Sequence, residues 1–199
     1  MTILSKNNEQ GRSMVEMLGV LAIIGVLSVG GISGYSKAMA KFKLTKAQDQ
    51  ITMLLMNIRT AFATSPNYGG LTNTTAKSYN IAPGDMISGS DLQHAFGGGV
   101  KVNSCNSSGN DDISGQYFYI QLNNLGNEAC LSLATADWGT DGLVSMNGSN
   151  STSMASGNAV NAALGNSPTA AANMPITLNT ASTYCGGKGH YATLKWIYY

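Results

Sequence analysis

The chain has 199 residues, of which only 11% are charged, and a formal net charge of +1. That length suits one globular domain plus an N-terminal segment, and the charged fraction lies far below the roughly 25% of ordinary soluble domains. Glycine (24 residues), asparagine, serine and threonine take the place of charges, and the near-zero balance gives no bulk argument for binding nucleic acid.

The first eleven residues are polar. Glu16 then stands at the edge of Met17 to Gly34, 18 residues that no charge interrupts. At 1.5 Å per residue this run is about 27 Å long, close to the thickness of a bilayer core. An ionisable residue in such a place marks a functional site by default and needs a partner. A secretory signal accounts for Lys6 and Arg12 before the core. It does not account for Glu16, and no Ala-x-Ala cleavage site follows before Tyr35-Ser36-Lys37. A plain single-span anchor lets Glu16 snorkel to the interface but assigns it no purpose.

Gly11-Arg12-Ser13-Met14-Val15-Glu16, directly before an apolar helix, resembles the type III signal of type IV pilins and pseudopilins. The resemblance implies cleavage between Gly11 and Arg12 by a prepilin peptidase, followed by N-methylation of Arg12. Glu16 then becomes the family's fifth-position glutamate, which neutralises the N-terminal amine of a neighbouring subunit as it enters the filament. A buried charge alone is expensive, and a paired one is tolerable. Arg12 departs from the apolar residue usual in the family, so Glu16 has two cationic candidates, the amine and the guanidinium. The lysine and arginine count around the span favours the opposite topology. A cytoplasmic N-terminus follows from the peptidase that the resemblance implies.

The apolar run continues into an amphipathic pattern. Phe42, Leu44, Ala47, Ile51, Leu54, Leu55, Ile58, Ala61 and Phe62 recur at three- and four-residue steps, with Lys41, Lys43, Lys46, Gln48, Asp49, Gln50 and Arg59 largely between them. Thr64-Ser65-Pro66-Asn67 stops the helix. One helix from about Ser13 to Ala63 is about 75 Å long, apolar all round in its first half and one-sided in its second. An anchor does not require both in one rod, whereas a filament core surrounded by globular heads does. Gly19, Gly25, Gly30, Gly31 and Gly34 fit either ordinary membrane-helix tolerance or close helix packing. The Gly25–Gly31 stretch is where a loss of helical order, common in pilin filaments, is expected.

Charge is divided between the two parts. Residues 1–60 are net +4 and residues 61–199 net −3, which fits a solvated helix face or complementary packing between subunits. Residues 67 to about 99 read as loop-rich, and Gly97-Gly98-Gly99 as a turn or linker. Strands are expected at Val100–Asn103, Gln116–Leu122, Leu143–Met146 and Tyr191–Tyr199, the last with Ala192, Leu194, Trp196 and Tyr198 on one face. Asn127 to Trp138 reads as a short helix capped by Asn127, and Thr177 to Cys185 as another. Residues 142–187 carry no charge, and much of Asn147 to Asn173 reads as a low-complexity surface loop whose Asn-x-Ser/Thr matches, such as Asn147 and Asn150, follow from composition.

No catalytic or metal-binding constellation emerges. Asp111-Asp112 reads as a solvated turn before it reads as a calcium site. His94 and His190 lack ligand spacing, with His190 read as structural, and there is no P-loop or nucleophile elbow. No cofactor is expected and the chain does not read as an enzyme. Cys105, Cys130 and Cys185 allow three single pairings if the domain is exported.

The chain resembles type IVb pilins, and within them the thin-pilus major pilins of the PilS type; the match covers about the first 60 residues and, in the head, the motifs around Cys130, Cys185 and the last strand. In that group a disulfide joins a short mid-head helix to a segment before the last strand. The resemblance therefore implies Cys130–Cys185, closing a loop of about 55 residues; Cys105 is then a buried thiol or an intermolecular link, and the buried thiol is the expectation. It further implies an α+β fold, a long N-terminal α-helix packed on an antiparallel β-sheet. The domains expected are a leader (1–11), a transmembrane and filament-core half-helix (12–35), an amphipathic half-helix (36–64) and a globular head (65–199). The implied function is structural, a pilus subunit held in the inner membrane, processed, and polymerised into an extracellular filament. Its partners are itself, the prepilin peptidase and the inner-membrane assembly machinery. A minor or tip adhesin pilin and a type II secretion pseudopilin are the alternatives.

Overall fold

The structure is a computed structural model that describes residues 10–113, 115–139, 141–150, 169–170, 173–186 and 191–199, with side chains from Met14 onward except at Thr169. The chain divides into two compact units, one ending at Phe42 and one spanning Lys43–Tyr199. Helix α1, Gln10–Ala61, contributes to both.

In the first unit α1 is continuous helix, including the glycine-rich Gly25–Gly31 stretch. Each of Gly19, Gly25, Gly30, Gly31 and Gly34 has open space where a Cβ would sit. The apolar side chains from Met14 to Ile32 are all exposed, Val26 at 75% and Val29 at 73%.

In the second unit the helical spacing produces a core. Ala47, Ile51, Leu54 and Ile58 fall four, three and four residues apart and are fully buried. Each large aliphatic side chain buried in this way stabilises the fold by about 1.5–3 kcal/mol. Leu44, Leu55 and Phe62 pack partly against the same core. Phe42 (61% exposed) and Ala61, expected on the apolar face, lie outside it, because the packed face narrows at both ends.

The core face of α1 is matched by one seven-stranded, wholly antiparallel sheet. Its strands are β1 (Ile87–Ser88), β2 (Asp91–Gln93), β3 (Gly99–Cys105), β4 (Tyr117–Gly126), β5 (Leu143–Ser149), β6 (Thr169–Ala170) and β7 (Tyr191–Tyr198). The spatial order is β1-β2-β3-β4-β7-β5-β6, so the last strand of the chain is inserted between β4 and β5. Phe118, Ile120 and Leu122 pair with Tyr198, Trp196 and Leu194 and face the core. A bulge between Leu122 and Leu125 places Asn124 at φ 58°, a left-handed conformation that asparagine tolerates. Short helices α2 (Asn73–Ser78), α3 (Asn127–Ala134) and α4 (Leu178–Cys185) complete the unit.

Several expectations are corrected. Residues 67–99, read as loop-rich, also hold the short elements α2, a 3₁₀ turn at Gly84–Met86, β1 and β2. Its second end is a tight turn, where Gly97 donates to the His94 carbonyl and His94 to that of Gly98. Helix α3 is shorter than expected and its cap is Gly126, without a side-chain bond. Residues 147–149 are not surface loop. They extend β5, with Asn147 and Ser149 buried. Most of the low-complexity stretch and His190 lie outside the described residues.

Strand β7 does not alternate between core and solvent. All of Ala192–Tyr198 is buried, because the opposite face of the sheet is covered as well. Beyond β2, the edge of β3 is occupied by Leu71–Asn73. The Asn73 amide donates to the Val100 carbonyl (2.9 Å) and accepts from the Val102 amide (2.8 Å), and the Ser104 amide donates to the Leu71 carbonyl (3.2 Å). An edge with its donors and acceptors filled is closed to strand addition.

Candidate functional site

Four features carry chemistry or recognition. The first is the apolar length of α1. Met14–Ala61 contains an 18-residue window of mean hydropathy 2.2 with none of it buried, long and apolar enough to cross a membrane. Glu16 lies on this helix and is exposed. Gly11 and Arg12 fall in its first turns, and their side chains are outside the description.

The second feature is the seam between residues 43–61 of α1 and the sheet. Lys46 pairs with Asp85 at 3.2 Å. Gln50, buried on the helix, donates to Asp85 (2.9 Å) and accepts from the Ala95 amide (3.0 Å). Slight burial pushes the Asp85 carboxyl up, but the Gln50 hydrogen bond and the Lys46 ammonium outweigh it and hold the carboxyl below its ordinary value. One turn before the helix ends, Asn57 donates to the Ile81 carbonyl (2.8 Å) and Arg59 to that of Asp141 (3.0 Å), with the guanidinium 5.8 Å from the Tyr198 ring centroid. The sequence pattern places Gln50 among the polar positions between the apolar ones; it lies instead buried beside Ile51, because Asp85 and the Ala95 amide satisfy its side chain.

The third feature is the staple. Cys130 of α3 and Cys185 of α4 form a disulfide with their Cα atoms 5.6 Å apart, the pairing implied by the resemblance to type IVb pilins. Asn127 stands beside it. Its amide donates to the carbonyls of Gly186 (2.7 Å) and Cys185 (3.4 Å). Asn127 therefore caps the end of α4, not the start of its own helix, and only the tertiary contact reveals it. Helix α4 rests on β5 at Gly148, where a Cβ would lie 2.5 Å from the Tyr184 Cβ.

The fourth feature lies on the sheet face away from α1. Cys105, Tyr119 and Ile197 form a small buried cluster there. Lys195, 3% exposed, donates to the Gly109 carbonyl and lies 3.7 Å from the Tyr119 ring centroid. The Tyr119 hydroxyl donates to Asp111 (2.8 Å), and Lys101 pairs with the same carboxylate (3.2 Å). Burial pushes the Lys195 amine down to about 8 and the Cys105 thiol up to about 12, the latter partly offset by the Lys195 charge. Tyr119 is raised by burial and by its bond to Asp111. Asp111 is thus tied into the fold and is not a solvated turn residue. Cys105 is the buried free thiol.

His94 is structural. It is buried, its Nε2–H donates to the Asn123 carbonyl (2.8 Å), and its Nδ1 accepts from the Phe96 amide (3.2 Å). Those partners select the neutral tautomer, and burial holds its pKa below the ordinary value. A polar depression of about 490 Å³ beside β3 is lined by Thr72, Asp91, Lys101, Asn103, Asp111 and Asn123, among others. No metal-binding cluster occurs among the described residues.

A family model described as PilS N terminal matches residues 42–198. Two curated relatives, each named major structural subunit of bundle-forming pilus, come from Escherichia coli O127:H6 (strain E2348/69 / EPEC) and O111:H-. Both are 27% identical over 140 residues, covering 69% of this chain and 70% of the relative. Among solved structures, the type IV pilin TcpA of Vibrio cholerae El Tor biotype is similar at 14% identity and TM-score 0.49, covering 79% of this chain and 99% of that one. A type IVb pilin of Salmonella typhi is similar at 19% identity and TM-score 0.48, covering 78% and 97%.

Proposed function

The chain belongs to the PilS N terminal family, and on that premise we propose that it is the structural subunit of a type IVb pilus, polymerising with copies of itself into an extracellular filament. The observation that carries the reading is α1. Its Met14–Ile32 surface is apolar and exposed in the isolated chain, while the later part of the same helix is built into the sheet. An exposed apolar surface of that extent needs a membrane or other copies of itself to cover it.

In this reading the chain is held in the inner membrane by Met17 to Gly34 before assembly. Prepilin peptidase cleaves between Gly11 and Arg12, and the new amine of Arg12 is methylated. Glu16 pairs with the N-terminal amine of a neighbouring copy, with the guanidinium of Arg12 as a second cation at the same place. The spacing Gly11 to Glu16 and the apolar run after it support these roles. The inner-membrane assembly machinery then extracts the subunit, and the Cys130–Cys185 staple holds the head during export.

Mass spectrometry of the N-terminus of sheared filaments tests the reading. A chain that begins at methylated Arg12 is expected. A filament chain beginning at Met1, or absence of the protein from filaments, overturns it. The Glu16→Ala chain is expected to be processed normally and to give fewer filaments, read by immunoblot of sheared material. Unchanged yield would remove Glu16 from the pairing.

A further inference from the structure

Resting on the polymer reading, we propose that Asp137 and Asp141 of one copy dock on the Lys37–Lys43 stretch of α1 in a second copy. Charge that is segregated within each chain is thereby paired between chains.

The segregation is unusually complete. Residues 17–48 contain no acid and carry Lys37, Lys41, Lys43 and Lys46, while residues 102–187 contain no lysine, arginine or histidine and carry five acids. The structure removes some of these from consideration. Lys46 is matched by Asp85, and Asp111 by Lys101 and Tyr119. Lys37 and Lys43 remain exposed, as do Asp137 and Asp141. The Asp137 carboxylate accepts the Gly139 amide (2.9 Å), and no cation among the described residues pairs with it or with the Asp141 carboxylate.

These groups cannot satisfy one another inside one head. The Asp141 carbonyl accepts from Arg59, which fixes Asp141 beside the C-terminal end of α1. Lys43 stands sixteen residues earlier, about 24 Å away along the helix. Lys43 and Asp141 can therefore meet only between two molecules. Both halves of the match are present on every copy, and in the polymer reading they meet head to tail, which makes the contact heterologous. Such a contact repeats from copy to copy and builds an open helical array, where a self-complementary patch would close into a pair. A second copy is thus the occupant that the charge pattern fits. Pairing opposite charges while opposing like ones also fixes register.

The test uses the full chain in cells that assemble it. Lys37→Glu/Lys43→Glu and Asp137→Lys/Asp141→Lys are each expected to lower sheared-filament yield about tenfold or more. Membrane level and processing should be unchanged. The chain carrying all four substitutions is expected to recover most of the yield. Glu128→Lys, an acid reversal at the other end of α3, should assemble normally. Independently, zero-length carbodiimide treatment of wild-type filaments should link Lys37 or Lys43 to Asp137 or Asp141 between copies, identified by peptide mass spectrometry. Assembly of the two-charge reversals at wild-type yield, an equal loss from Glu128→Lys, no recovery on combination, or filaments without these crosslinks would each overturn the proposal. Failure of the wild-type chain to form filaments would instead overturn the polymer reading on which it rests.

Discussion

Lys195 shows how far one residue's role depends on its surroundings. In the strand Thr193-Leu194-Lys195-Trp196 it alternates with Leu194 and Trp196 and so lies on the face opposite them. On that face it is buried against Tyr119 and the Gly109 carbonyl. Gly109 approaches so closely that a Cβ there would meet Ile197 at 2.6 Å. Burial holds the native amine near 8 against an ordinary 10.5. From about pH 8 upward the native lysine has lost its proton while the unfolded one keeps it. Stability therefore rises with pH in that window, by up to about 1.4 kcal/mol per pH unit. Cys105 acts in the opposite sense above its ordinary 9.0, because its native thiol stays protonated to about 12 while the unfolded one ionises. The expected result is a melting temperature that rises between pH 8 and 9 and stops rising above 9. Lys195→Met should abolish the rise, read by thermal denaturation across the pH series. The same rise in the methionine variant would rule out Lys195 as its source.

At the scale of elements, the contact between α4 and β5 depends on a missing side chain. Gly148 lies in a strand, where glycine normally weakens pairing. Here it lets Tyr184 sit directly on the sheet, and a Cβ would also lie 2.7 Å from the Tyr184 Cγ and 3.0 Å from Leu194. Gly148→Ala is expected to destabilise the head by about 1–3 kcal/mol through overpacking, measured by urea denaturation. A neutral result would mean that α4 slides at little cost. Elements were legible where periodicity was strong. α1 and strands β3, β4, β5 and β7 sit close to their expected positions, because helical and alternating patterns are properties of local sequence. β1, β2 and β6, with two or three residues each, carry no such pattern and exist through pairing with their neighbours. The cap at Asn127 was misread for the same reason, since its partner is 59 residues away.

At the scale of the molecule, the staple closes a covalent loop in the head. The disulfide spans 55 residues, a loop that includes β5 and β6. In the chain-entropy model it contributes about 4 kcal/mol. Cys130→Ser/Cys185→Ser is expected to lower unfolding free energy by about that amount, read by urea titration. Loss of less than about 1 kcal/mol would place the stabilisation in the Asn127 bonds and the Gly148 contact instead.

The N-terminal motif, the apolar run and its amphipathic continuation were determined by sequence alone, because each is a short-range pattern of charge and hydropathy. Membership of a pilin-like family and a long helix on a sheet followed from them. Only the tertiary structure decided that β7 lies between β4 and β5 and that both faces of the sheet are covered. The same holds for Asp111 being tied to Lys101 and Tyr119, for Lys195 being buried, and for Asp137 and Asp141 meeting no cation among the described residues. Those outcomes depend on which residues distant in the chain meet, and a charged side chain bears no local mark of whether its partner lies in its own chain or in the next.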